Sequence, residues 1–263
     1  MRQMNTLTAV AVILAAFMAP KLAADTVLIT GANRGIGLEF ARQYAALGWR
    51  VVATHRSEDQ PASLVALQRR YPETVVVERL DVTDHAMIDA LASRYRGQPV
   101  DVLINNAGLV GALEHVQDQM FGSLDYELLA LFMLTNVAGP LKVSEAFFDN
   151  VRISEQKRIV AISSLAGSFQ AAATNRPGRV HYKTSKAALN MAVTCIATAT
   201  GDADIIAVAI HPGGVKVEKL AAFDLPGFIE PAESIASMIR VIDSLEPADS
   251  GTFLNYTGEP LPW

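Results

Sequence analysis

From residue 25 the chain alternates two hydrophobic patterns. Thr26–Thr30 (TVLIT) is a short apolar run rich in β-branched residues that stops at Gly31. Ile36, Leu38, Phe40, Ala41, Tyr44 and Leu47 then recur at helical spacing until Gly48. The cycle repeats with apolar runs at Val51–Ala53 and Val75–Val77, a helix around Asp84–Tyr95, and runs at Val100–Ile104, Ile159–Ile162 and Ile205–Ile210. Runs without polar alternation are buried on both faces, as in a parallel sheet covered by helices. The pattern therefore predicts an α/β protein built on a doubly wound parallel sheet. No Gly/Ser/Pro-rich linker and no internal repeat divides it, so residues 25–263 read as a single domain.

The first 24 residues, MRQMNTLTAVAVILAAFMAPKLAA, follow another pattern. Arg2 gives a positive start, Leu7–Ala19 is uncharged and mostly apolar, and Leu22-Ala23-Ala24 offers small residues for cleavage. This is the layout of a signal peptide, and the run is short for a membrane span. The other reading is an N-terminal apolar anchor with membrane contact through residues 1–24. Both point to an exported (periplasmic or secreted) or membrane-tethered protein, with a cytoplasmic location as the alternative.

Composition removes several function classes. The net charge is −5, and basic residues do not cluster, which argues against a nucleic-acid partner. With Cys195 as the only cysteine, no internal disulfide can form. His55, His85, His115, His181 and His211 are scattered, with no Cys/His pairs at zinc spacing, so no metal site is expected.

The first strand runs into Gly31-Ala32-Asn33-Arg34-Gly35-Ile36-Gly37. Glycines there allow a tight turn and close backbone approach to a pyrophosphate, while the following helix points free N–H groups at it. The spacing is GxxxGxG rather than the GxGxxG fingerprint. A plain strand–helix turn needs one glycine, not three.

Thr30–Gly37, Asp81-Val82, Asn105-Asn106-Ala107-Gly108, Tyr182-Lys183-Thr184-Ser185-Lys186 and Pro212-Gly213 stand in an order and spacing that resembles the short-chain dehydrogenase/reductase family. The resemblance covers essentially all of residues 25–263. The ending, Gly251–Tyr256 followed by Leu261-Pro262-Trp263, is similar to the sniffer and C-factor-like carbonyl reductase branch. Membership implies a Rossmann fold of about seven strands, a nicotinamide dinucleotide and hydride transfer to a small-molecule carbonyl substrate. A homodimer is left open.

Tyr182 and Lys186 are four apart on a predicted helix and so share one face. A free tyrosine has a pKa of about 10. A neighbouring ammonium, with the oxidised nicotinamide, would favour the phenolate and make Tyr182 a usable acid–base. The resemblance implies a serine at the end of the strand Ile159–Ile162, where Ser163 and Ser164 follow. The interval from Ser164 to Tyr182 is five residues longer than the family's usual gap, and counting back alone would favour Ser168. Ser164 is chosen because strand ends at the carboxyl edge face the site. The additional residues then fall in the loop Gly167–Val180, expected as a pocket wall. Asn136, in Leu134–Pro140, matches the family asparagine that holds a water linking the lysine to solvent.

An NAD-preferring site needs an acid at the end of the second strand. Here Thr54 and His55 stand there, followed by Arg56, and Arg34 lies in the glycine turn. Two guanidinium groups suit a 2′-phosphate, so NADP(H) is expected over NAD(H); the bland alternative is two solvated arginines. The resemblance implies further cofactor contacts from Gly31, Asn33, Arg34, Gly35, Ile36 and Gly37 at the pyrophosphate. It places Asp81 and Val82 at adenine, and Asn106, Ala107 and Gly108 on the ribose side. Tyr182 and Lys186 would meet the nicotinamide half, with Pro212, Gly213 and Val215 at the carboxamide. Val217 stands where the family often has threonine. The segment Leu220–Phe228 matches the substrate lid, and its Leu220, Phe223, Leu225 and Phe228 suggest an apolar substrate or simply pack the lid. The sequence thus reads as an NADPH-dependent carbonyl reductase with Tyr182 as general acid. The alternatives are a dinucleotide-binding signalling protein of C-factor type with little turnover, and an NAD-linked alcohol dehydrogenase.

Overall fold

The computed structural model describes residues 24–111, 116–172, 178–218 and 227–263. Seven parallel strands form one sheet in the order β3-β2-β1-β4-β5-β6-β7. They are β1 (Thr26–Ile29), β2 (Arg50–His55), β3 (Val75–Arg79), β4 (Val102–Asn105), β5 (Arg158–Ile162), β6 (Ile206–His211) and β7 (Phe253–Asn255). Six coincide with the apolar runs. β7 has only three residues, Phe-Leu-Asn, too few for a run to register.

Side-chain alternation divides each strand between two cores. Val27 and Ile29 face one side, with Phe40 and Tyr44 of α1 (Gly35–Ala46) and Ile235, Met238 and Ile242 of α9 (Pro231–Asp243). Leu28 faces the other, with Ile88 and Leu91 of α3 (His85–Arg94), Val143 of α5 (Gly139–Ala146) and Leu189 and Val193 of α8 (Val180–Thr200). Each fully buried aliphatic side chain of this kind contributes about 1.5–3 kcal/mol. The doubly wound Rossmann architecture expected from the sequence is therefore present. The remaining helices among the described residues are α2 (Ala62–Arg70), α4 (Tyr126–Met133), α6 (Phe148–Arg152) and the short α7 (Phe169–Ala172).

Strand order reverses between β1 and β4, so a crevice opens at their carboxyl ends. Capping is uneven around it. Asp84 caps α3 through the Met87 N–H at 3.0 Å, and Asp125 caps α4 through the N–H groups of Glu127 and Leu128. α1 has no acidic residue in its first turn and no side-chain cap from Arg34. Its first N–H groups, at the mouth of the crevice, take no side-chain acceptor from the helix's own first turn.

One expectation is corrected. Membrane contact and the exported or membrane-tethered location, both expected from the N-terminal segment, are not upheld: no helix among the described residues is long and apolar enough to cross a membrane. The longest, α8, spans 21 residues but carries His181, Lys183, Lys186 and Asn190. Residues 1–23, on which the signal-peptide and anchor readings fell, lie outside the described residues, as do 219–226 of the expected lid and 173–177 of the expected pocket wall.

Candidate active site

α8 builds the centre of the site because its buried face changes character along its length. His181, Tyr182, Ser185 and Lys186 are buried at its start, followed by Leu189, Asn190, Ala192 and Val193. Its first turns lie against Leu165–Gly167, the 3₁₀ turn after β5. Close approach requires Gly167, since a Cβ there would come within 2.6 Å of the Lys186 carbonyl carbon and 2.8 Å of the Ala187 nitrogen.

Ser164 leaves the end of β5 in extended conformation; its Oγ accepts from the Ala166 N–H at 3.2 Å and lies beside the Tyr182 phenol. Ser163 donates instead to Asn190 Oδ1. The Ser168 hydroxyl donates to the Trp263 carbonyl at 3.2 Å and accepts from the Ala171 N–H at 3.0 Å. Of the three serines, Ser164 is the one that faces the Tyr182 phenol.

Lys186 is buried, and its Nζ donates to the Ile162 carbonyl at 2.7 Å. Burial lowers its pKa to about 8. Burial raises that of Tyr182, opposed by the Ser164 hydroxyl and by the Arg179 guanidinium. The expected lowering included the charge of the oxidised nicotinamide; within the protein alone desolvation of the phenolate wins, and the phenol stays protonated at neutral pH.

Asn136 sits in a π turn, Leu134–Ala138, between α4 and α5. It is fully buried; its Oδ1 accepts from the Leu109 N–H, and its Nδ2 donates to the Leu109 carbonyl and Ser185 Oγ, both at 2.9 Å. Its side chain thus braces the strand following β4 against α8. Gly108 lies beside it, with a Cβ there falling 3.4 Å from Asn136 Oδ1 and 3.8 Å from Lys186 Nζ.

The phosphate turn is assembled by Thr30, which the motif reading passed over. Its hydroxyl accepts from the N–H groups of Asn106 and Ala107, both at 3.0 Å. The Asn106 amide donates to the carbonyls of Thr30 and Gly31, so that side chain is committed to joining β1 and β4. Gly31 is left-handed at φ 66, and a Cβ on it would lie 3.0 Å from Ala107 Cα. A Cβ on Gly37 would meet the Gly31 carbonyl oxygen at 2.4 Å. The turn and the α1 terminus fit a diphosphate: glycine brings backbone close, and the N–H groups of Ile36 and Gly37 follow that of Gly35 in the first turn of the helix. Asn33 accepts from Ser63 through its carbonyl, while Arg34 and Arg56 are exposed beside the adjacent ends of β1 and β2. No acidic residue ends β2; Thr54 accepts from the Gly31 N–H, and His55 is buried.

Asp81 accepts from both the N–H and hydroxyl of Thr83. Val82 packs so closely on α5 that a Cβ at Gly139 would come within 2.9 Å of its carbonyl oxygen. On the far side of the crevice, the Pro212 carbonyl accepts from Ser234 at 2.6 Å. Gly213, at φ 80, lies against Ile229 and Tyr256, and Val215 bridges to Ile229. Burial lowers the His211 pKa to about 4, so it is neutral there. Val217 leans over Gly35, with Cγ1 3.3 Å from where a Cβ would be. Glu218 accepts from the Gly35 N–H at 3.0 Å and supplies the carboxylate that α1 lacks. No local pattern signals this contact across 183 positions.

The family description "short chain dehydrogenase" matches residues 25–224. The chain belongs to the short chain dehydrogenase family. Among solved structures, this short chain dehydrogenase is similar to the NADPH-bound carbonyl reductase from chicken fatty liver, with 34% identity, TM-score 0.83, and 92% of this chain and 100% of that one covered. It is also similar to the carbonyl reductase Sniffer of Drosophila melanogaster, with 25% identity, TM-score 0.80, and coverage of 91% and 100%. C-signal of Myxococcus xanthus is 37% identical over 175 residues, 66% of this chain and 99% of that protein.

Proposed function

We propose that this short chain dehydrogenase is an NADPH-dependent carbonyl reductase, with residues 25–263 as its catalytic domain. The observation that carries the reading is the placement of the Ser164 hydroxyl beside the buried Tyr182 phenol, next to Lys186 and across the crevice from the phosphate turn. A pure binding module has no need of a desolvated acid so placed. The family and its NADPH-bound structural relative support the cofactor and the reaction class.

The chemistry NADPH supplies when bound is a hydride for the carbonyl carbon. Tyr182 donates its phenol proton to the carbonyl oxygen as negative charge develops there. Ser164 donates a second hydrogen bond to the same oxygen, which stabilises that charge. Lys186, one helical turn from Tyr182, contributes positive charge and fixes the site against the end of β5. Asn136 positions Gly108 and α8 around the lysine. Val110 and Phe228 are exposed, and with the apolar lid sequence they favour a carbonyl compound with hydrocarbon or aromatic bulk. The test is NADPH consumption by purified protein over a panel of apolar ketones and aldehydes. Tight NADPH binding with no turnover across the panel would overturn the reading in favour of a dinucleotide-binding signalling protein.

The same assay addresses cofactor choice. Arg34 and Arg56 are proposed to pair with the 2′-phosphate, so NADPH is expected to be preferred over NADH. Arg56→Ala is expected to narrow the ratio of kcat/KM for the two by at least about tenfold, the effect of one charge-assisted hydrogen bond. An unchanged ratio would assign Arg56 to solvent alone.

A further inference from the structure

Arg179 precedes α8 in the left-handed region, at φ 56 and ψ 40, and makes no capping bond there. A non-glycine residue in that region costs about 1–2 kcal/mol. Two others share it among the described residues, Lys157 and Asp204. They lie at the amino ends of β5 and β6, away from the crevice, and pair with each other at 3.8 Å. Arg179 lies at the crevice instead, and its guanidinium carbon is 4.5 Å from the centroid of the Tyr182 ring.

Two cations therefore flank this ring, and they differ in kind. Lys186 Nζ is farther from the centroid, at 5.9 Å, and is bonded to the Ile162 carbonyl. With a pKa lowered to about 8, its charge drains away just above neutrality. A guanidinium keeps its charge throughout, and its plane suits an aromatic face. The left-handed turn at Arg179 brings its side chain over that ring.

We propose that Arg179 is a positioning residue for Tyr182: placed over the phenol ring, its guanidinium holds the ring in place and adds a permanent positive charge that stabilises the phenolate. This rests on the reading that Tyr182 exchanges the proton. The groups that face the phenol among the described residues are Arg179 before α8, Lys186 on its next turn and the Ser164 hydroxyl from the end of β5. Removing a cation raises the pKa of the acid beside it. In carbonyl reduction the phenol is the active form, so the alkaline limb moves to higher pH. In alcohol oxidation the phenolate is the active form, so the acidic limb moves the same way.

The test compares wild type, Arg179→Gly, Arg179→Lys and Tyr182→Phe, each with NADP bound. Arg179→Gly removes the cation and accepts the left-handed backbone, whereas Arg179→Lys keeps a cation. Ultraviolet difference titration of tyrosinate, with Tyr182→Phe as the blank, reads the Tyr182 midpoint directly; the pH profile of alcohol oxidation reads it through turnover. In Arg179→Gly both are expected to move up by about one pH unit, the low end for one opposite charge at this distance, and Arg179→Lys is expected to restore most of the shift. An unmoved midpoint and profile in Arg179→Gly, in a protein that Tyr182→Phe inactivates, would overturn the role of Arg179 and leave the reading of the site intact. Full turnover by Tyr182→Phe would overturn both.

Discussion

Tyr182→Phe is expected to lower carbonyl reduction by about 10²–10⁴-fold, the usual contribution of a positioned general acid, while NADPH binding stays nearly unchanged. The phenol is almost fully buried, and burial holds it protonated. The substitution deletes the proton that the product alkoxide must receive and leaves the ring between Arg179 and Lys186. Contacts made by the ring therefore persist, and so should the fold of α8. The Ser164 hydroxyl loses its phenol neighbour but remains able to reach the carbonyl oxygen, so residual activity is not zero. Single-turnover rates with one good ketone, together with NADPH titration by fluorescence, separate the two effects. Turnover within a few-fold of wild type would show that the proton comes from elsewhere.

The parts of this protein that were legible in the chain are those fixed by local periodicity or by short motifs. β1, β2 and β4 to β6 are buried on both faces, so each holds an apolar run without polar alternation. β7 was not legible from periodicity because three residues carry no period; a seventh strand was expected only from the family resemblance, and its place at the sheet edge comes from the fold. The π turn around Asn136 is invisible to any pattern, since Leu134–Ala138 reads as continuous helix. Asn106 shows a different limit. A motif gives its position beside the ribose, but only the fold shows that its amide is already bonded to the carbonyls of Thr30 and Gly31. Arg179 and Glu218 have no sequence signature, because each acts across a turn or a crevice on a residue it does not resemble or repeat with. The desolvation that raises the Tyr182 pKa in the protein alone was not legible for a related reason: charge partners are visible as neighbours in a helix, whereas desolvation depends on everything packed around them.

Ser164→Ala is expected to lower kcat by about 10²–10³-fold, the cost of removing one preorganised donor to a developing oxyanion. Ser168→Ala is expected to leave kcat close to wild type. Both hydroxyls are near the start of α8, and the spacing of the chain alone favours Ser168. The two differ in what surrounds them. Ser164 follows β5 directly, where ladder bonds to β4 and β6 fix the backbone, and its side chain meets the phenol. Ser168 is buried with its hydroxyl held between the Ala171 N–H and the Trp263 carbonyl, tying the start of α7 to the chain end. Its loss should appear as destabilisation of about 1 kcal/mol, the value of a typical cap, read as a lower midpoint in urea with unchanged kinetics. The double readout keeps the two serines apart: Ser164→Ala slows turnover in a stable protein, and Ser168→Ala weakens a protein that still turns over. A Ser168→Ala variant with crippled kcat and normal stability would move the oxyanion donor into the loop beyond Gly167 and overturn the assignment of Ser164.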